Sequence, residues 1–186
     1  MRRLVTTLTP SALAARVGRM EQLASIRRLV ADDGQGRGMR VIEVNNGSGL
    51  AFTLYPDRGM DLGQAFFKGT PLAWVTGNLE VAPAFYNGAG NEWLRTWGGG
   101  LLTGCGLANV GGPCAPGGEP HGLHGRLSHQ PAEEVNTSSG WQPIAAATST
   151  AVWWVFASPA SPVQALALPV LAITARTCAP GRARIA

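Results

Sequence analysis

The sequence predicts an all-β, antiparallel fold, and three observations lead there. Charged residues make up only 14% of the 186 positions and hydrophobic ones 45%, too apolar for a disordered chain. Twenty-five glycines and 13 prolines punctuate the text too often for a helical bundle. The apolar runs follow one another at short spacing, with no room for the crossover helices of a parallel sheet. The length suits one domain with an appendage, able to bury a core without disulfides or a metal.

Taken in order, Thr9-Pro10 reads as the N-cap and first position of a short helix within an N-terminal extension, residues 1–19. Gln22–Ala31 is compatible with a strand and stops at the turn signal Asp32-Asp33-Gly34. Met39–Val44 is a second strand, closed by Asn45-Asn46-Gly47, and Leu50–Tyr55 a third, stopped by Pro56-Asp57. Gln64–Phe67 and Pro71–Val75 flank Lys68-Gly69-Thr70 as a hairpin.

From Gly88 to Arg126 a third of the residues are glycine, interleaved with Trp93, Trp97, Asn109, His121 and His124. Leu94, Leu101, Leu102, Leu107 and Val110 make this stretch too apolar for a solvated linker. Long glycine-rich segments of this kind carry sites or form tightly packed corners. Residues 20–140 therefore form the body, and 141–186 a low-charge tail without Asp, Glu or Lys. Trp153–Phe156 could be a buried strand. The tail has two readings: an extension packing on the body, or out-of-frame translation of a GC-rich gene. Fourteen arginines against the single Lys68 point to such a gene, and the lack of local consistency favours the second reading.

Composition also excludes function classes. Cys105, Cys114 and Cys178 are odd in number and contain no Cys-x-x-Cys, so a reducing compartment is expected. The net charge of +4 comes mainly from Arg176, Arg182 and Arg184 in the tail, which argues against nucleic acid as a partner. Arg2 and Arg3 precede an apolar run that Thr6, Thr7, Thr9 and Pro10 interrupt, so a signal peptide is not expected and the cytoplasm is. Pro159, Pro162 and Pro169 break the one stretch that could span a membrane, so no membrane partner is expected.

No dinucleotide loop, phosphate loop or Gly-x-Ser-x-Gly elbow is present. His121, His124 and His129 lie close together, but His-x-x-His among glycines suits a loop better than a zinc site, so no metal is expected. A histidine there can instead donate to a hydroxyl or a ring oxygen, or sit on the surface without a role. Asp57-Arg58-Gly59-Met60-Asp61 is either a turn held by an Arg–carboxylate pair or a charged fork facing a polyhydroxylated ligand. Trp74, Trp93 and Trp97 suit a core, and equally the aromatic face of a sugar site.

In order along the chain stand Gly49-Leu50, Pro56-Asp57-Arg58-Gly59-Met60-Asp61-Leu62-Gly63, Pro71-Leu72-Ala73-Trp74 and Trp93-Leu94-Arg95. Gly99-Gly100-Leu101-Leu102-Thr103, Cys105-Gly106-Leu107 with Asn109, Gly122-Leu123-His124-Gly125-Arg126 and Pro131-Ala132-Glu133 follow. Together they resemble the aldose 1-epimerase-like family of galactose-mutarotase fold, in the branch that includes deoxyribose mutarotase. The resemblance spans about residues 20–140. It implies an antiparallel β-sandwich that binds an aldose and interconverts its α and β anomers by acid–base ring opening, without a cofactor. By the same resemblance His124 is the catalytic histidine assisting the ring oxygen. Arg58 and Arg126, then Asp61, Trp93 and Asn109, are the implied substrate-binding residues.

The chain departs from the family in one respect. The principal acid His and base Glu of mutarotases lie in the second half of the fold, yet no histidine follows His129 and no carboxylate side chain follows Glu134. The expectation is an incomplete sandwich, weak or inactive as an isomerase, with Glu133 or Glu134 as improvised bases. Unpaired edges and an uncovered apolar face then predict poor solubility or a homodimer. The alternative is a carbohydrate-binding module without catalysis.

Overall fold

The computed structural model describes residues 9–104, 109–144, 148–158, 165–168 and 171–175, with side chains described as far as residue 137. The expectations for the leader-like residues 2–8, for Cys105 and Leu107, and for the three tail arginines lie outside the described residues. The chain enters on a short helix, α1 (Pro10–Ala14), where Thr9 Oγ1 accepts the Ala12 N–H at 3.3 Å. No described helix is long and apolar enough to cross a membrane.

An antiparallel five-stranded sheet follows in sequential order: β1 (Ser25–Val30), β2 (Arg40–Asn45), β3 (Leu50–Tyr55), β4 (Asp61–Phe67) and β5 (Thr70–Pro71). The first strand starts later than the sequence suggests. Leu23 N–H closes a turn on Met20 O, burying Leu23 and Ala24 before extended backbone begins. Alternation then sorts the side chains. Ile42, Val44, Phe52, Leu54, Leu62 and Ala65 are buried on one face, packed with Met60, Ala132 and Val135. Arg27, Glu43 and Thr53 share the other face in one cross-strand row.

The expected hairpin strand Pro71–Val75 is divided. Only Thr70–Pro71 pairs with β4, with one further bond from Leu72 N–H to Ala65 O at 2.8 Å before the chain leaves the sheet. Trp74–Val75 (β6) turns away to pair with Gly99–Gly100 (β7). Between and beyond them the glycine-rich region is organised by short 3-10 turns at Pro83–Phe85, Glu92–Arg95 and Leu127–His129. It is a built segment: Trp93, Thr96, Ser128 and His129 are all buried.

A second sheet has the order β10-β11-β9-β8, from β8 (Glu134–Ile144), β9 (Thr148–Ser158), β10 (Ala165–Leu168) and β11 (Leu171–Ala175). β8 and β9 pair antiparallel from Glu134↔Ser158 to Ile144↔Thr148, while β11 lies parallel to β9. Val135 at the start of β8 reaches the core of the first sheet.

Candidate functional site

The Pro56–Arg58 turn at the end of β3 builds the first part of the site. Gly59 follows at φ 59°, and a Cβ there would lie 2.4 Å from Leu127 O, so this backbone contact requires glycine. Gly59 N–H donates to Gln130 O at 3.0 Å. Two segments distant in sequence are thus stitched together. Asp57 anchors the turn to β2 by accepting Arg40 N–H at 2.7 Å and Arg40 Nε–H at 2.8 Å.

Arg58 and Asp61 are each 4% exposed and face one another, with Nε 3.6 Å from Oδ2. Arg58 Nη1 donates to Val81 O at 2.8 Å, and Gly104 N–H donates to Asp61 Oδ1 at 2.5 Å. Burial pushes the Asp61 carboxyl up to about 7, outweighing the Gly104 N–H and the Arg58 charge, which both favour the carboxylate. Burial likewise pulls the Arg58 guanidinium down, against the opposing effect of Asp61.

His129 lies in the same buried region. Its ring stacks on Tyr86 at 4.1 Å between centroids, and Nε2 is 2.7 Å from Thr96 Oγ1. Burial, reinforced by the nearby Arg58 charge, pushes its pKa down to about 3, so the imidazole is neutral at physiological pH. Tyr86 OH donates to Gly125 O at 3.1 Å, linking His129 to the loop that carries His124. Burial raises the Tyr86 phenol, with Arg126 acting in the opposite direction.

That loop holds His124 at φ 57°, a left-handed conformation uncommon outside glycine. Gly111 fixes it from both sides. His124 N–H donates to Gly111 O at 2.9 Å, and Gly111 N–H donates to His124 Nδ1 at 3.2 Å. With Nδ1 accepting, the neutral ring carries its proton on Nε2. Trp93 meets the imidazole edge-on at 4.9 Å, stacks on Trp97 at 5.5 Å, and lies 6.5 Å from His129.

The structure therefore gathers part of the expected set. His124 and Trp93 are in contact. Asn109 serves the same loop, donating from Nδ2 to Gly122 O at 2.7 Å and Gly112 O at 3.2 Å. Arg58 and Asp61 pair with each other beneath the surface, while Arg126 is exposed beside the loop. Among the described residues no three His, Cys, Asp or Glu side chains converge as a metal site would require.

A family model described as "Domain of unknown function (DUF4432)" matches residues 36–151. The chain belongs to this family. Among curated proteins no relative matches. Among solved structures, that of a "putative aldose 1-epimerase" from Klebsiella pneumoniae subsp. pneumoniae MGH 78578 is similar, with a TM-score of 0.57 and 27% identity. The similarity covers 65% of this chain and 34% of that one, so the chain spans about a third of that protein's length. The all-β, antiparallel class read from the sequence is the one observed, and this DUF4432 chain is aldose-epimerase-like in fold.

Tyr86 and Thr96 are the members of the cluster that sequence reading did not single out, and His129, which it grouped with His121 and His124, was not read as buried. Only the closeness of His129 to the apolar Ala132 and Val135 signals that it is buried. Nothing local places Tyr86 or Thr96 against it, because the contacts span 43 and 33 residues of chain.

Proposed function

We propose that this DUF4432-family chain binds an aldose at the His124 loop and is an aldose 1-epimerase-like isomerase, interconverting α and β anomers. The observation that carries this is the 27% identical likeness to the aldose 1-epimerase structure. The loop geometry suits the chemistry. With Gly111 occupying Nδ1, the His124 Nε2–H is the ring's remaining donor, and in this reading it protonates the sugar's ring oxygen. A base takes the proton of the C1 hydroxyl, the bond between C1 and the ring oxygen breaks as that oxygen gains a proton, and a C1 aldehyde forms. Rotation about C1–C2 and reversal of the steps give the other anomer. Glu133 and Glu134, both exposed and following the loop in sequence, are the carboxylates proposed as the base. The resemblance to the deoxyribose-mutarotase branch leaves both a deoxypentose and a hexose as candidate substrates.

A second reading is a carbohydrate-binding module without catalysis. It is favoured by one observation: among the described residues no carboxylate hydrogen-bonds to the His124 ring, whose recorded partner is Gly111. Polarimetry of freshly dissolved α-D-galactose, α-D-glucose and 2-deoxyribose decides. Faster anomer exchange that is lost in His124→Ala supports the isomerase. A sugar-dependent thermal shift without faster exchange supports the module. Neither effect with any of the three sugars removes the aldose reading.

A further inference from the structure

The outer face of the five-stranded sheet carries a cavity of about 700 Å³, within the range of small-molecule sites and larger than one sugar ring needs. None of the residues assigned to the His124 site lines it. Two cross-strand rows make its floor. One is polar: Arg27 opposite Glu43, and Glu43 opposite Thr53, continuing to Gln64 through Thr53 Oγ1–H···O at 3.4 Å. The register shifts between Phe52 and Leu54, a bulge of the kind found next to sites. The second row sets Asn45 opposite Ala51 and Ala51 opposite Phe66.

The wall is built from two segments clasped together. Gly34–Gly36 forms a 3-10 turn, and Ala82 N–H donates to Gln35 O at 3.0 Å, drawing Asn78, Leu79 and Glu80 over the end of the floor. Glu80 is held from below by Tyr55 OH at 2.6 Å.

The side chains narrow the ligand class. Among the described residues Arg27 is the one cation lining the cavity, and it is already paired with Glu43 at 3.3 Å. Asp33 and Glu80 add carboxylates, so phosphate and carboxylate ligands are repelled. Gln35 and Gln64 offer planar amides, and Asn78, whose Nδ2 already donates to Leu94 O and Trp97 O, adds its Oδ1 as an acceptor. With the carboxylates they match neighbouring hydroxyls as donors and acceptors. Ala51, Phe66 and Leu79 supply apolar surface for the C–H face of a ring. We infer that this cavity is a second ligand site, separate from the His124 loop, that takes a neutral di- or trisaccharide. The inference rests on the cavity alone and does not require the isomerase reading.

The test is a ¹H–¹⁵N NMR titration of the full chain with lactose and with maltotriose, and with inorganic phosphate and spermidine as probes of other charge classes. The expected result is a saturable shift of the Gln64 side-chain amide and of Arg27 Nε–H with at least one saccharide. Gln64→Ala and Glu43→Gln should each weaken that binding by about tenfold or more, and His124→Ala should leave it unchanged. Glu43→Gln breaks only an exposed ion pair and keeps the fold, so it stands if Gln64→Ala melts early. Shifts with phosphate or spermidine but neither saccharide overturn the inference, as does no response to any probe. Saccharide shifts confined to the His124 loop and abolished by His124→Ala also overturn it, while leaving the proposed function standing.

Discussion

The Tyr55 hydroxyl donates to Glu80 Oε1 at 2.6 Å, and the Tyr55 ring lies directly over Gly63. Burial and the Glu80 bond both raise the phenol's pKa. One side chain thus joins the end of β3, the start of β4 and the 78–80 wall. A cavity of about 20 Å³, bordered by Tyr55, Arg58, Asp61 and Glu80, lies behind it and has room for about one water.

Replacing Gly63 tests that joint. A Cβ there would sit 2.2 Å from Tyr55 Cε2, so Gly63→Ala must displace the ring and break its bond to Glu80. Overpacking of this kind costs about 1–3 kcal/mol. The expected outcome is a lower melting temperature, with Gly77→Ala, at an open position, as the control. Equal melting of the two variants would mean that the ring does not cover Gly63.

Asp61 predicts a pH dependence. Its folded pKa, near 7, is above the ordinary carboxyl value of 3.8, so the folded state holds a proton that the unfolded state releases. Its contribution is complete below the unfolded value and is lost as pH rises through about 7. Urea unfolding at several pH values should show Asp61→Asn losing less stability than wild type between pH 4 and 7. Parallel curves for the two proteins would place Asp61 in water.

His129 acts in the opposite sense. With a folded pKa near 3 against an ordinary 6.5, it favours the neutral folded state, and its contribution falls as pH drops below about 6.5. His129→Gln should therefore flatten the acid side of the same stability profile. Thr96→Val should cost about 1–3 kcal/mol at neutral pH by leaving Nε2 buried without its 2.7 Å partner. If Thr96→Val unfolds at the wild-type urea midpoint, that hydrogen bond is absent.

Arg126 separates binding from stability. It is exposed and forms no recorded ion pair among the described residues, so Arg126→Ala should change the melting temperature by no more than an ordinary surface substitution, within about 0.5 kcal/mol. If it contacts the aldose, sugar affinity should fall by about tenfold, as for loss of a hydrogen bond to a charged group. Calorimetry on wild type and variant reads both, and unchanged affinity would remove Arg126 from the site.

Much of the sheet was legible because its signals are local. Leu50–Tyr55 is a strand with the expected bounds, since an apolar β-rich run stopped by Pro-Asp admits little else. Pro71–Val75 was not legible as two strands, because the partner of Trp74–Val75 is a pair of glycines 24 to 26 positions away, and glycine carries no pairing signal. The turn 56–61 offered two readings, a held turn or a ligand-facing fork. Choosing between them requires knowing that Leu127–Gln130 packs on Gly59 and that Arg58 and Asp61 are buried against each other.

By itself, then, the sequence determined the all-β antiparallel class, most strand positions, and the glycine-rich loop carrying His124. These follow from period, turn chemistry and residue type within short windows. Only the tertiary structure decided which polar groups are buried and what they face: the Arg58–Asp61 pair, the neutral His129 on Tyr86, and the Nδ1 of His124 held by Gly111. Each depends on removing a group from water with a partner far along the chain. Desolvation is a property of the packed whole, and no local pattern encodes it.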